Sequence, residues 1–288
     1  MKSVAIIVNT KKHDGIRVAR ELIPWLESRH VLVMVEHSGA IAMEVPHLSR
    51  DEAELAKADF ALIIGGDGTL LRASRIMAPA GVPMLPLRFG EFGFLSDVDP
   101  NDAVPALESV LRGDAVIRER IMLKAEVLRD GKRINKSHAL NDMVIAKGPV
   151  SRMLRLATHV DGEYISTYAA DGLIVATPTG STAYSLSAGG PLVTPDLKVI
   201  LMTPICPHTL NVRSLIISSE RTVEIGVQSE PGSVVMLTVD GQLGVPLEAG
   251  DRVRVAEADF KSKMISVGAT SFFGKLQKRL KWGDRFDL

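Results

Sequence analysis

Along the first 112 positions the apolar residues switch between two periods. Val4 to Val8 is an unbroken apolar run, Gly15 to Ser28 repeats its apolar positions at helical spacing, and Val31 to Val35 is apolar again. That is a strand, a helix and a strand. Ser49 followed three residues later by Glu52 is a capping-box pattern that opens a short helix through Ala58. Phe60 to Ile64 is apolar at every position, which suits a strand covered on both faces in a parallel sheet. Thr69 to Ala78 then reads as helix, Val82 to Leu87 as strand and Asp102 to Leu111 as helix. Pro24 lies inside the first helix, where its missing N–H and its ring predict a kink or an end. Residues 1–112 are therefore expected to form an α/β domain with a parallel sheet.

Beyond Val116 the pattern changes to short β-rich runs separated by Asp130-Gly131, Asp161-Gly162, Pro231-Gly232 and Asp240-Gly241, which are turn signals. Residues 113–267 are expected to form a mainly β domain. Ser271 to Trp282 returns to helical spacing, with Phe272, Leu276 and Leu280 on one side and Lys275, Lys278, Arg279 and Lys281 around them. Those basic residues are expected to form a solvated face.

Composition narrows the function classes. A chain of 288 residues that is 46% hydrophobic can bury a sizeable core. Lys plus Arg and Asp plus Glu balance at 34 each, so the basic excess of a nucleic-acid binder is missing. The apolar start ends at Asn9, too short for a secretory h-region, and no window approaches 18 uninterrupted apolar residues. The single Cys206 allows no internal disulfide and is expected to be a small buried hydrophobe. These features predict a cytoplasmic protein with neither membrane nor nucleic acid as partner.

The most informative short string is Gly65-Gly66-Asp67-Gly68-Thr69, between an apolar strand and a helix. Glycines let backbone N–H groups approach a phosphate, and a helix N-terminus favours an anion. Asp67 puts a carboxylate in the same turn, which points to proton transfer, a metal or sugar hydroxyls; a tight turn using Asp and Gly for geometry alone is the plain alternative. No Walker A loop is present, and Gly66, Gly68, Leu71 break the dinucleotide fingerprint. The long run from Asp171 to Pro191 carries six Ser and Thr residues and one Tyr between Thr177 and Gly190, a set of neutral donors and acceptors suited to ribose, adenine and phosphate. Asn141-Asp142 is a third polar element.

Taken in order, these strings resemble the NAD kinase family over nearly the whole chain. The resemblance adds Gly-x-x-Gly-Phe-Leu at Gly90 to Leu95, Leu201 to His208, and Asp240-Gly241-Gln242. It implies an N-terminal α/β domain over 1–112, a mainly β NAD-binding domain over 113–267, and a returning segment 268–288 whose helix packs on the first domain. It further implies ATP and NAD as substrates, a Mg²⁺ or other divalent cation held mainly through donor phosphates, and a homodimer or homotetramer. Asp67 takes the role of general base with Gly68 beside it, and Asn141 and Asp142 hold ribose hydroxyls. Asp171 opens the long loop, and Thr182, Ala183, Tyr184, Ser185, Leu186 and Ser187 surround the adenosine, with Tyr184 as the stacking ring. Gln242 joins the binding residues, and Arg72 and Arg152 are phosphate contacts by charge.

Two positions depart from the family pattern. Asp142 stands where Glu is usual, and Pro86-Leu87-Arg88 where many members have Gly-Ile-Asn. The expected reaction transfers a phosphoryl group from ATP or another donor to the 2′-hydroxyl of the adenosine ribose of NAD, giving NADP. Two rivals stay open: a GGDGT-type kinase for a lipid or sugar phosphate, and a nucleotide-sensing module that transfers nothing. His208, flanked by Pro207, is expected to be structural rather than a metal ligand.

Overall fold

Ser3–Val8 forms β1, buried at all positions but the first, and His13–Glu27 forms α1. Leu32–Glu36 (β2), His37–Ala42 (α2), Ser49–Arg50 (β3) and Glu52–Leu55 (α3) follow. Then come the fully buried Phe60–Gly65 (β4), Asp67–Met77 (α4), Met84–Arg88 (β5) and Ala103–Arg112 (α5). The strands lie in the order β3-β2-β1-β4-β5, all parallel. Such a sheet needs cover on both faces, and Ala19, Leu22, Ile23 and Leu26 of α1 with Ala103, Ala106 and Leu107 of α5 supply part of it. The computed structural model describes residues 1–89, 93–96, 98–149, 153–209, 211–230, 232–267 and 271–280.

The second half is built from Val116–Arg129 (β6), Lys132–Ala139 (β7), Asp142–Lys147 (β8), Leu154–Val160 (β9), Glu163–Ala170 (β10) and Gly172–Ala176 (β11). After Tyr184–Ser187 (α6) come Val199–Ile205 (β12), Leu215–Ser218 (β13), Val223–Gln228 (β14), Val235–Val239 (β15), Leu243–Leu247 (β16) and Arg252–Ser266 (β17). Phe272–Leu280 is the closing helix, α7. One antiparallel sheet runs β13-β12-β11-β8-β15-β16; β10-β9-β14-β17 is a second antiparallel run, with β6 on β17 and β7 on β6. Leu156, Leu173, Val175, Leu237 and Val253 belong to one buried cluster of this half. Asp130-Gly131, Asp161-Gly162 and Asp240-Gly241 each place two successive residues at positive φ, between +49° and +85°, as hairpin turns demand.

The chain divides into two compact units, Met1–Glu119 with Lys261–Leu288, and Arg120–Phe260. The α/β unit followed by a mainly antiparallel β unit agrees with the fold class read from the sequence. Within the first unit, Met264 of β17 pairs with Met84 beside β5, and α7 returns to the same unit.

Local expectations need correction. Ser49 does not cap the third helix: Ser49 and Arg50 extend along β2, and Asp51 caps it by accepting the Glu54 N–H at 2.8 Å. The run to Ala58 shortens to a single turn. Pro24 neither ends α1 nor starves it, because buried Leu22, Ile23 and Leu26 hold the helix through Glu27 and the Pro24 carbonyl accepts the Ser28 N–H. The helix α2 carries too few apolar positions to show a period and was missed. Helix α4 begins at Asp67 rather than Thr69, so Asp67 and Gly68 belong to its first turn. Cys206 is exposed, at a left-handed backbone position, instead of buried.

Candidate functional site

In the first unit the site is organised around Asp67. Strand β4 ends at Gly65, Gly66 supplies the residue before α4, and Asp67 opens the helix where the macrodipole favours an anion. The carboxylate accepts hydrogen bonds from Phe94 N–H at 2.9 Å, Leu95 N–H at 3.3 Å and Ser96 Oγ at 3.5 Å. Gly93 packs directly against it, and a side chain there would overlap Asp67 Oδ1. The family-like segment is thus fastened to the carboxylate by its second half; Gly90 lies outside the described residues.

Helix α7 holds the same segment from another side. Lys275 Nζ donates to the Phe94 carbonyl at 2.9 Å, and Arg279 stands 5.0 Å from the centre of the Phe94 ring. Lys275 is only 8% exposed, so the expected solvated face is corrected at this position: one lysine is buried to bind a loop carbonyl. Helical spacing alone gave no sign of that partner. Arg72 forms a two-point ion pair with Glu36, and Arg88 pairs with Asp99 at 2.9 Å. Both guanidiniums already have carboxylate partners; Gly68, beside Asp67, is exposed.

In the second unit Asn141 and Asp142 are gripped from two sides. Asp240, in the turn between β15 and β16, accepts the N–H groups of Leu140, Asn141 and Asp142 at 3.1, 2.8 and 3.2 Å. On the other side Thr177 Oγ1 donates to the Leu140 carbonyl at 2.6 Å, and Thr177 N–H donates to the Asn141 carbonyl at 2.9 Å. Gly180 lies so near that a Cβ would overlap the Asn141 carbonyl. Asn141 Oδ1 is buried with no partner among the described residues. Burial, reinforced by the negative charge of Asp240, pushes the Asp142 carboxyl up to about 7.

The long hydroxyl-bearing run is more self-contained than its composition suggests. Ser181 Oγ donates to a backbone carbonyl and accepts Val193 N–H, and Thr182 Oγ1 donates to Thr179 O. Ser185 Oγ shares a 2.9 Å bond with Thr203 Oγ1. Ser185 is fully buried, Thr182, Ala183 and Leu186 are half-buried, and Tyr184 and Ser187 are exposed. Asp171 pairs with Lys147 at 2.8 Å. Gln242 is exposed in the Asp240 turn, and Arg152 lies outside the described residues.

Asp67, Gly68 and Arg72 belong to the first unit; Asn141, Asp142, Asp171, Thr182 to Ser187 and Gln242 belong to the second. Sequence reasoning assigned no separate role to Asp240, Thr177, Gly93 or Lys275. The Asp-Gly turn signal hid Asp240, since it explains that residue's backbone without its side chain.

A carboxylate set in a glycine-flanked helix start in one unit, and a buried Asn-Asp pair held beside Thr177 in the other, are groups that suit phosphoryl transfer to a hydroxyl-bearing small molecule. The family profile for the ATP-NAD kinase N-terminal domain matches residues 4–115 and that for the C-terminal domain matches residues 140–267. The chain belongs to the NAD kinase family, and is an enzyme that phosphorylates NAD to NADP. An NAD kinase of Moorella thermoacetica is 45% identical over 98% of this chain and 90% of its own. The crystal structure of yeast NADH kinase complexed with NADH superimposes with a TM-score of 0.90 at 28% identity, covering 100% of this chain and 90% of that one. An NAD kinase from Archaeoglobus fulgidus in complex with ATP shares the fold, with a TM-score of 0.74 at 24% identity over 96% of this chain and 99% of that one.

Proposed function

We propose that Asp67 is the general base of this reaction, accepting the proton of the 2′-hydroxyl on the adenosine ribose of NAD as the donor's terminal phosphoryl group is transferred. The observation that carries this reading is the hydrogen-bond inventory of the carboxylate. A carboxylate offers roughly four lone-pair sites. Among the described residues the donors on Asp67 are Phe94 N–H, Leu95 N–H and Ser96 Oγ, which leaves acceptor capacity for a ribose hydroxyl on a group held in one orientation. Asn141 and Asp142 bind ribose hydroxyls, and Tyr184 supplies an exposed ring for adenine.

ATP or another donor lays its phosphates at the glycine turn and the N-terminus of α4. A Mg²⁺ or similar divalent cation would be held mainly through those phosphates and would supply neutralisation of their charge. Arg72 and Arg152 are assigned to the phosphates on charge, Arg72 only by exchanging its Glu36 partner. Asp171 and Gln242 complete the NAD contacts. The assembly we assign is a homodimer or homotetramer in the cytoplasm, on family resemblance and on a free, exposed Cys206 suited to a reducing compartment. No helix among the described residues is long and apolar enough to cross a membrane.

The test is Asp67→Asn, assayed with NAD, ATP and Mg²⁺ through a coupled NADP-specific dehydrogenase, with lipid and sugar-phosphate acceptors in parallel. Loss of a general base lowers kcat by about 10²- to 10⁴-fold. Wild-type kcat in folded Asp67→Asn removes Asp67 from that role, and light scattering checks the assembly.

A further inference from the structure

We propose that Asp240 is a positioning residue for NAD: its carboxylate gathers three successive backbone N–H groups and thereby fixes where the side chains of Asn141 and Asp142 stand. This rests on the reading that the Asn141-Asp142 pair binds NAD. Oδ2 of Asp240 takes the Leu140 N–H, and Oδ1 takes those of Asn141 and Asp142. The Asp240 N–H in turn donates to the Asp142 carbonyl at 3.0 Å, so the segment is tied to the turn in both directions.

The side chain is not needed for the turn that carries it. The turn closes through Gln242 N–H on the Val239 carbonyl, with Asp240 and Gly241 both at positive φ. Asn or Gly adopts that backbone as readily as Asp. A carboxylate is needed only for the N–H groups, because both of its oxygens accept whereas an amide presents one acceptor and one donor. Charge-assisted bonds from successive amides form a directional anion seat. What that seat holds still is a pair with binding capacity left over: the buried Asn141 Oδ1, unpartnered among the described residues, and the buried Asp142 carboxyl.

The turn's indifference to the side chain makes the proposal testable. Asp240→Asn and Asp240→Gly keep the left-handed turn; the first removes one of the two accepting oxygens and the charge, and the second removes the whole seat. Both are expected to raise KM for NAD about tenfold or more, which corresponds to about 1.4 kcal/mol or more of lost positioning, while kcat stays within about threefold and KM for ATP is unchanged. Asn141→Ala is the control on the underlying reading. If it leaves KM for NAD unchanged, the pair does not bind NAD and that reading fails. If Asn141→Ala raises KM for NAD and both Asp240 variants leave it at the wild-type value, the positioning proposal fails alone. Parallel loss of kcat, both KM values and thermal midpoint in the two Asp240 variants, or failure of both to fold, makes Asp240 a structural residue and overturns the proposal.

Discussion

Gly93 abuts the carboxylate of Asp67 so closely that the space a β-carbon would take is already filled by Oδ1. Gly93→Ala therefore has to move either the 93–96 segment or Asp67. Overpacking of this kind costs about 1–3 kcal/mol, and here it falls on the orientation of the proposed base. The expected outcome is a fold unchanged by circular dichroism and a kcat reduced at least tenfold. Steady-state kinetics at saturating NAD and ATP check it, and wild-type kcat would show that the contact is dispensable.

Asp142 gives the protein a pH-dependent stability of definite sign. Its carboxyl is raised from 3.8 to about 7 by burial and then by Asp240, so the folded state keeps a proton that the unfolded state gives up. That stabilisation is complete below about pH 4 and is lost as pH rises to about 7. Asp142→Asn has no proton to lose. Its stability relative to wild type should increase between pH 4 and 7, by up to about 4 kcal/mol at about 1.4 kcal/mol per unit, and stay level above that. Urea titrations at several pH values measure the difference; a constant offset would contradict the burial argument.

Arg129 and Asp251 act in the opposite direction on pH. Arg129 Nε and Nη2 reach the two Asp251 oxygens at 2.9 and 2.8 Å, and the Asp251 side chain is 1% exposed. The Arg129 bonds, with the Glu248 N–H, hold the Asp251 carboxyl below its usual range against the effect of burial. The stability contributed is present above the ordinary carboxylate range and is lost as pH falls through the lowered value. Arg129→Met should cost about 1.5–3 kcal/mol at pH 7, as expected for a charge-assisted hydrogen bond, and the gap should narrow below about pH 4. Thermal melts at pH 7 and pH 3 suffice to check it.

Tyr184 separates ring from hydroxyl. It is 47% exposed on α6. If stacking on adenine is its contribution, Tyr184→Phe binds NAD nearly as well as wild type and Tyr184→Ala loses about 1–3 kcal/mol, by analogy with base–aromatic stacking. Calorimetric isotherms give the order directly, and equal affinity for all three proteins would take Tyr184 out of the site.

The elements that were legible in the sequence were those whose burial sets their pattern. The strand at Phe60–Gly65 shows itself over Phe60 to Ile64 because both faces are covered. The Asp-Gly pairs marked hairpins because few other residues accept left-handed backbone. The candidate site was legible as strings, but not as contacts. Nothing near Asp240 in the chain announces that Leu140, Asn141 and Asp142 will donate to it from about a hundred residues away. Lys275 likewise reads as one more surface base until Phe94 arrives as its acceptor. Composition counts the donors and acceptors of the hydroxyl-rich loop without telling which are already joined to one another.

That loop has a thermodynamic consequence. Thr177, Ser181, Thr182 and Ser185 bond to the loop's own backbone or to neighbouring strands, so the segment from Thr177 to Gly190 is tied into one shape when the protein folds. A loop ordered in advance gives up little conformational entropy when a nucleotide arrives. If adenosine docks at Tyr184 as proposed, it meets a preformed mould, with affinity set by the contact surface rather than by the cost of freezing the chain.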